Sequence, residues 1–270
     1  MRTLLLLDFS NLVFRVTSVN KTVFHGDRFS GGLLGFFKQL SSLLYRFEPT
    51  DILVCKDNPP YLRSQHYTAY KEGRKSPVTD LVKESKPYCE QFLETIGVPS
   101  WGVDGLEADD LIALAVENLT DYDRYIIISN DSDLYQLLEF PDVFIYKKGG
   151  LYGNKKFKEE FPGINPSHWV LVNALTGGHN GAKGIKGVGI KTALKIVKAQ
   201  KENKKILQEN KDLLRLNKYL GMVPFPDIPE DTEIQPPSPQ KYNERNLIKF
   251  LYSFGINIRG AELAAFEHLK

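Results

Sequence analysis

The sequence predicts an α/β protein built on a mostly parallel central sheet. Three short apolar runs, Leu4 to Leu7, Ile52 to Cys55 and Tyr125 to Ser129, each end beside an aspartate, and helical patterns separate them. Strands that alternate with helices in this way pair in parallel through crossover connections. Because the carboxyl ends of parallel strands meet at one crevice, the aspartates that follow these runs are expected to lie close together.

The remaining elements of the first 160 residues follow the same alternation. Helical patterns run from Leu33 to Phe47, from Val82 to Ile96 and from Asp109 to Leu119. A further strand is expected at Phe144 to Tyr146, and the glycine-rich stretch 149–153 reads as a turn. These elements form the predicted α/β core, residues 1–160.

The character of the chain changes after about Glu160. A helical pattern at Val170 to Leu175 is followed by a loop with many glycines and a polar helical stretch to Leu220. A proline-rich strap then runs from Pro224 to Pro239, and final helices are expected from Asn243. We therefore predict a helical lobe at 161–270, with the C-terminal strap and helices packing back on the core.

Composition and charge are those of an ordinary globular protein. The chain has 270 residues and a formal net charge of +2, with 42% hydrophobic and 25% charged residues. No apolar run approaches the ~18 residues of a membrane-spanning helix, and the N-terminus lacks the length of a secretory signal. We therefore expect a cytoplasmic protein with no membrane partner. Cys55 and Cys89 make no metal-ligand spacing and are expected in the core.

Seven carboxylates stand at or beside the ends of the predicted strands. They are Asp8, Asp57, Glu107, Asp109, Asp110, Asp131 and Asp133. Glu107 and Asp110 share one face of a helix start, and Asp131 and Asp133 point the same way if the backbone is extended. Each acid alone has an ordinary explanation, such as a favourable place in the first turn of a helix. Together they predict a cleft that binds a hard divalent cation, Mg²⁺ or Mn²⁺.

Lysines are concentrated in the second half of the chain. Residues 161–201 contain no Asp or Glu, and six lysines fall between Lys183 and Lys201. A basic lobe beside an acidic cleft suggests a polyanionic substrate that is hydrolysed with the help of a metal. On charge alone, a solvated lysine-rich helix face is an equal alternative.

Four motifs, in order along about the first 200 residues, resemble the 5′-nuclease family. This family includes phage flap endonucleases and the 5′-nuclease domain of bacterial polymerase I. Residues 105–110, GLEADD, resemble its GxEADD signature, and residues 128–137 resemble its second acidic motif. Residues 8–11 with Arg15 are similar to its N-terminal motif, and Arg63 with Tyr70, Lys71 and Arg74 resembles its R…YKxxR segment. The resemblance implies a PIN-like nuclease core in which the seven carboxylates bind metal.

The resemblance also implies an arch segment at about 63–99, through which a 5′ single strand passes. Lys71 and Arg74 would grip the scissile phosphate as catalytic residues, and Tyr70 would offer a stacking face. Arg15 and Arg63 are likewise expected to contact DNA.

Residues 184–193, GIKGVGIKTA, resemble the family's helix-hairpin-helix (helix-three-turn-helix) core, within a hairpin at about 176–198. Glycines let the backbone approach a phosphate, and the start of the following helix donates N–H groups to it. Such contacts hold duplex DNA without reading its sequence. The residues expected to contact DNA here are Lys183, Gly184, Lys186, Gly187, Gly189, Lys191 and Thr192. Hairpins of this kind often hold a monovalent cation, which makes K⁺ a candidate ligand.

Just upstream of the hairpin the sequence departs from the family. Family members usually read GDxxDN there, whereas Gly177 and Asn180 stand at the positions of the two aspartates. We therefore expect one well-held divalent cation and a weak second site near Asp133. His179 is expected to be a surface residue, since Mg²⁺ prefers oxygen ligands.

These features predict a structure-specific 5′ nuclease, that is, a 5′-3′ exonuclease or flap endonuclease. Its expected partner is DNA whose 5′ single-stranded flap or end joins a duplex. We expect a stand-alone monomer in the cytoplasm, or in the host cytoplasm if the gene belongs to a phage. The alternative is a flap- or junction-binding protein of nuclease ancestry with little or no catalysis, which Gly177 and Asn180 motivate. A nucleotide-binding enzyme is disfavoured, because no Walker-type or GxGxxG loop follows the first strand.

Overall fold

The computed structural model describes residues 1–72, 76–177, 182–199, 203–238, 241, 243–258 and 260–267. The strands are β1 (Thr3–Asp8), β2 (Phe24–His25), β3 (Arg28–Phe29), β4 (Asp51–Cys55), β5 (Ser100–Trp101), β6 (Arg124–Ile128), β7 (Val143–Lys147) and β8 (Gly150–Tyr152). The helices are α1 (Phe9–Val19), α2 (Gly31–Phe47), α3 (Arg63–His66), α4 (Thr79–Thr95), α5 (Ala108–Asn118), α6 (Asn154–Glu160), α7 (Trp169–Thr176), α8 (Ile190–Lys198), α9 (Lys204–Glu209), α10 (Lys211–Leu220), α11 (Glu244–Tyr252) and α12 (Gly260–Ala264). Two 3-10 helices lie at Asp133–Glu139 and Pro166–His168.

The central sheet has the strand order β5-β4-β1-β6-β7-β8. The first five of these strands pair in parallel, and β8 is antiparallel to β7. The prediction of a mostly parallel α/β sheet is confirmed. β8 occupies most of the stretch predicted as a turn, because Lys148 and Gly149 both take positive φ values and reverse the chain within two residues.

The central strand β1 is buried on both faces. Leu4 and Leu6 face a core layer that includes α5 and α7, whereas Leu5 and Leu7 face a layer built from α1, α2 and α4. A strand covered on both sides reads as a continuous apolar run, which explains the four consecutive leucines.

The hydrophobic core continues past residue 160. Val172, Ala193 and Leu214, from α7, α8 and α10, belong to the same core layer as α5. On the opposite side of the sheet, Leu247 of α11 packs with α4, and Phe266 stacks on Phe37 of α2 with ring centroids 6.0 Å apart. Helices from the second half of the chain therefore cover both faces of the sheet.

Helix α4 lies within the predicted arch segment and forms one wall of the acidic cleft. Its inner face packs Cys89 and Phe92 into the core, while Lys83 and Lys86 line the cleft. Across the described part of the chain, no helix combines the length and the apolar character needed to cross a membrane.

Candidate active site

Asp8 ends β1 and caps α1, so a strand and a helix meet at this carboxylate. Its Oδ1 accepts a hydrogen bond from the Asn11 N–H at 3.0 Å, and its Oδ2 accepts from the Ser129 hydroxyl at 2.8 Å. The residue is only 6% exposed. Burial, and then the charge of Asp57, raise the pKa of Asp8 to about 7.

Asp57 follows β4, the neighbouring strand. Its Oδ1 accepts a hydrogen bond from the backbone N–H of Ala108 at 3.3 Å, which ties it to the first turn of α5. The preceding residue, Lys56, pairs instead with Glu90 of α4 at 3.2 Å. Asp57 is therefore the residue of this pair that belongs to the acidic site.

The start of α5 supplies three more acids. Glu107 is the N-cap, and it forms a capping box with Asp110. Burial, followed by the charges of Asp131 and Asp8, raises the pKa of Asp109 well above its ordinary value. Carboxylates from three separate segments are therefore near enough to repel one another.

The remaining two acids follow β6. Asp131 Oδ1 accepts a hydrogen bond from the Asp133 N–H at 2.9 Å, which forms a local turn. Burial, and then Asp131, raise the pKa of Asp133 to about 7, while a hydrogen bond from the Asn173 side-chain amide opposes the shift. Asp133 is thus held by α7.

Asp110 and Arg63 bind each other beneath the cleft. Asp110 is 0% exposed and Arg63 only 2%. The guanidinium donates to both Asp110 oxygens, at 2.5 and 2.8 Å. The sequence predicted Asp110 as a metal ligand and Arg63 as a DNA contact. In this structure the two side chains bond to each other, Arg63 is buried, and protein donors contact both Asp110 oxygens. The metal-ligand role of Asp110 and the DNA-contact role of Arg63 stay predictions.

Tyr70 and Lys71 both hold Glu107. The Tyr70 phenol is buried and donates to Glu107 Oε2 at 2.7 Å, and Lys71 forms an ion pair with Oε1. Tyr70 is therefore bonded to an acid of the site in this structure, and its stacking role stays a prediction. Lys71 lines the cleft as well. The other predicted catalytic cation, Arg74, lies outside the described residues.

The acids and lysines surround an open cleft of about 860 Å³. Four of the seven predicted carboxylates line it, namely Asp8, Asp57, Asp109 and Asp131, and so do three lysines, namely Lys71, Lys83 and Lys86. Lys86 also donates to the Ser10 hydroxyl at 2.9 Å, which ties α4 to α1 across the cleft. Glu107, Asp110 and Asp133 lie behind this surface.

The chemistry of the donor set, carboxylate oxygens alone, is that of a site for a hard divalent cation. Among the described residues, no three His, Cys, Asp or Glu side chains as they are placed form a group that could hold a metal ion. The raised pKa values of Asp8 and Asp109 nevertheless arise partly from neighbouring carboxylates, a repulsion that a cation between them would relieve. Oxygen ligands on the ends of rigid strands also suit Mg²⁺ or Mn²⁺.

Comparison with known proteins identifies the family to which the chain belongs. A family model described as "5'-3' exonuclease, N-terminal resolvase-like domain" matches residues 3–162. The chain belongs to the 5′-3′ exonuclease family. This confirms the resemblance noted in the sequence.

Curated relatives carry names of the same kind. A 5′-3′ exonuclease of Bacillus subtilis is 30% identical over 223 residues, which are 78% of this chain and 74% of the relative. The flap endonuclease Xni of Psychromonas ingrahamii is 31% identical over 217 residues, 78% of this chain and 82% of the relative. A DNA polymerase I of Lactococcus lactis is 28% identical over 232 residues, 80% of this chain but only 26% of the polymerase.

Solved structures share the fold. A bacteriophage T5 5′-exonuclease, described with bound divalent zinc, has a TM-score of 0.68 at 20% identity, with 83% of this chain and 90% of that chain covered. A T5 flap endonuclease in a pseudo-enzyme-product complex with DNA and metal ions has a TM-score of 0.65 at 17% identity, with 99% and 98% covered.

The predicted hairpin, about 176–198, begins at the end of α7 and includes α8. An added Cβ at Gly184 would collide with the backbone of Thr176 and Gly177, so glycine is required there by packing. Gly187, at φ +81°, and Gly189 have nothing within 4 Å of an added Cβ, so their backbone is open to a ligand. The polar side chains expected to contact DNA, those of Lys183, Lys186, Lys191 and Thr192, are all exposed.

Of the two positions at which the family resemblance leads us to expect aspartates, the structure describes Gly177. Asn180 and His179 lie outside the described residues. Gly177 has φ +81°, and an added Cβ would stand 2.5 Å from the Gly184 backbone N. An aspartate at 177 would therefore be strained in this backbone.

Phe14 is a candidate functional residue that the sequence did not predict. Phe14 of α1 is 43% exposed and lines both the cleft and an adjoining open groove of about 730 Å³. Arg15, predicted to contact DNA, donates to Asn130 at 3.0 Å and lines the same groove with Lys38 and Lys148. In the sequence, Phe14 is only a large aromatic residue six positions after Asp8. Its position in α1 shows that the side chain is partly exposed to solvent.

Proposed function

We propose that this member of the 5′-3′ exonuclease family is a structure-specific 5′ nuclease. It hydrolyses DNA phosphodiesters with a divalent cation, at junctions between single and double strands. The observation that carries the proposal is the cleft, in which four carboxylates, from β1, α5 and the loops after β4 and β6, face three lysines. Such a cleft accommodates a metal ion and the phosphate that it acts on.

Asp8, Asp57, Asp109 and Asp131 would hold Mg²⁺ or Mn²⁺, with Glu107 next to them. A bound divalent cation supplies charge stabilisation at the scissile phosphate and lowers the pKa of water. The zinc bound to the related T5 exonuclease supports a divalent site in this fold. Asp133 would belong to a weaker second site, because the Asn173 amide already occupies one of its oxygens.

The lysines of the cleft would bind the substrate. Lys71 lies between Glu107 and the cleft, where its ammonium can contact the scissile phosphate. Arg74, three residues further on, is proposed for the same task. Lys83 and Lys86 on α4 continue the positive wall and suit the backbone of a single strand.

The predicted hairpin would hold the duplex. Its exposed lysines and the open backbone of Gly187 and Gly189 are suited to phosphate oxygens. The T5 flap endonuclease complexed with DNA supports duplex binding in this fold. A K⁺ ion at the hairpin stays a prediction.

A second candidate function is junction binding with little catalysis. Asn173, a neutral residue, bonds to Asp133, and Gly177 stands where the family usually has an acid. If the weak second site is indispensable, the protein would grip flaps without cutting them.

A cleavage assay on a 5′-flap duplex with Mg²⁺ or Mn²⁺ separates the two functions. We expect the wild-type protein to cut near the junction and Asp109→Asn to bind the flap without cutting it. The matched control is Asp80→Asn on α4, whose side chain is 98% exposed, and this variant should cut normally. Tight flap binding by the wild-type protein with no cutting in either metal would refute the nuclease and support the binding protein.

A further inference from the structure

We propose that Arg63 is a positioning residue, which ties the first turn of α5, with Glu107 and Asp109, to the segment Leu220–Phe225. This segment follows α10 and is called the strut below. The proposal rests on the function proposed above, because positioning matters to the reaction only if α5 carries metal-binding acids.

The guanidinium of Arg63 uses all three of its nitrogens. Nε donates to the Leu220 carbonyl at 2.9 Å, and Nη2 donates to the Met222 carbonyl at 2.9 Å and to Asp110 Oδ1 at 2.8 Å. Nη1 donates to Asp110 Oδ2 at 2.5 Å and lies 3.0 Å from Glu107 Oε2. One side chain thus joins two strut carbonyls to two acids of α5.

The carboxylate of Asp110 has protein donors on both oxygens. Besides Arg63, Oδ1 accepts from the Phe225 N–H at 2.9 Å, and Oδ2 accepts from the Glu107 N–H at 3.2 Å. With four donors on a fully buried carboxylate, Asp110 holds the strut and the N-cap of α5 together. Its contribution to metal binding is therefore to fix Glu107 and Asp109.

The strut has further anchors at the site and in the helical lobe. The Gln136 side chain donates to the Gly221 carbonyl at 2.8 Å and to the Asp133 carbonyl at 2.9 Å. Just before the strut, Asn217 donates to the Lys183 carbonyl of the hairpin at 2.8 Å. The strut therefore connects Arg63, the acids and the predicted hairpin.

Arg63→Lys keeps the positive charge but replaces a planar five-donor fork by a single ammonium. That ammonium cannot bond Asp110 on both oxygens and the two strut carbonyls together, so the first turn of α5 loses its fixed orientation. Because Arg63 is buried and does not line the cleft, its effect on metal ions must pass through Glu107 and Asp109. Partners that orient metal ligands typically change metal affinity by about 10–100-fold.

The test measures Mn²⁺ binding to the DNA-free protein, by electron paramagnetic resonance of the unbound ion. We expect R63K to weaken Mn²⁺ binding by roughly tenfold or more. The matched control is R46K. Arg46 also bonds a distant segment, through the Tyr146 hydroxyl at 3.2 Å and the Gly149 carbonyl at 2.7 Å. The R46K variant should therefore leave the Mn²⁺ affinity unchanged.

Cleavage of the flap duplex adds a readout that separates positioning from catalysis. At saturating Mn²⁺ the cleavage rate of R63K should recover to near the wild-type rate, whereas the rate of K71A should stay low.

If R63K does not fold, the variant F225L is used in its place. That variant keeps the backbone N–H to Asp110 but removes the ring whose centroid lies 4.6 Å from the Arg63 guanidinium carbon. Because the ring no longer holds the guanidinium in place, we expect F225L to weaken Mn²⁺ binding in the same direction as R63K.

The outcomes distinguish the two proposals. A folded R63K, or F225L in its place, that binds Mn²⁺ as tightly as the wild-type protein overturns the positioning role alone. A wild-type protein that binds no Mn²⁺ and cuts no flap overturns both the positioning role and the nuclease. Weaker binding by R63K with unchanged binding by R46K supports the positioning role.

Discussion

Replacing Asp8 by asparagine should stabilise the metal-free protein, and more strongly at high pH. Burial, and then Asp57, raise the pKa of Asp8 from 3.8 to about 7 in the folded state. The folded state therefore binds this proton more tightly than the unfolded state does. The stability that protonated Asp8 provides is fully present below about pH 4, the unfolded value, and is lost as the pH rises through about 7.

The size of the effect follows from the shift. A change of about 3 pKa units at about 1.4 kcal/mol each makes the Asp8 charge cost about 4 kcal/mol at pH 8. This is an upper limit, because Asp57 and Asp131 share the repulsion. At pH 5 the unfolded carboxyl is mostly ionised while the folded one stays protonated, which leaves less than half of that cost.

Asparagine can keep the local structure of Asp8. Its side-chain oxygen can accept the Asn11 N–H bond, and asparagine caps helices about as well as aspartate. The Ser129 hydroxyl can rotate to accept from the new amide instead of donating. The relief of charge repulsion is therefore not offset by loss of the cap.

Thermal unfolding in EDTA at pH 5 and pH 8 measures the effect. At roughly 2–4 °C per kcal/mol, Asp8→Asn should raise Tm at pH 8 by at most about 8–16 °C, and by less than half as much at pH 5. The control is Asp231→Asn at an exposed position, which should shift Tm little at either pH. An equal shift at both pH values, or a lower Tm at pH 8, would refute the reasoning.

Two further predictions concern the substrate and the hairpin. Phe14→Ala should weaken binding of a 5′-flap duplex by roughly 5- to 150-fold, the loss of one stacked base, but leave blunt duplex binding unchanged. Fluorescence anisotropy of both DNAs tests this, and equal losses on the two would contradict it. Gly184→Ala should destabilise the protein by about 1–3 kcal/mol in urea unfolding, because its Cβ meets the Thr176 backbone. Gly150→Ala, whose Cβ meets only the end of Lys156 at 3.9 Å, is the control, and equal stability of the two variants would rule out the packing explanation.

The fold was predicted from local sequence patterns. The runs before Asp8, Asp57 and Asp131 are short and apolar and alternate with helical periodicity, which identifies parallel strands without any knowledge of contacts. Helix α1 was not predicted, because its residues Phe9–Val19 are rich in β-branched and aromatic types with modest helix propensity. It forms because Asp8 caps it and its apolar face packs on the sheet.

The sequence by itself determined the family, the parallel sheet and the segments that bring acids to one edge of it. These features depend on residue types at short spacings. Only the tertiary structure decided which acids face the cleft, because most of these carboxylates have partners from far along the chain. Asp110 is bound by Arg63, 47 residues away, and Arg63 by Leu220, 157 residues away. A motif shows that a carboxylate is present, but its role as ligand or support depends on the donors that folding places beside it.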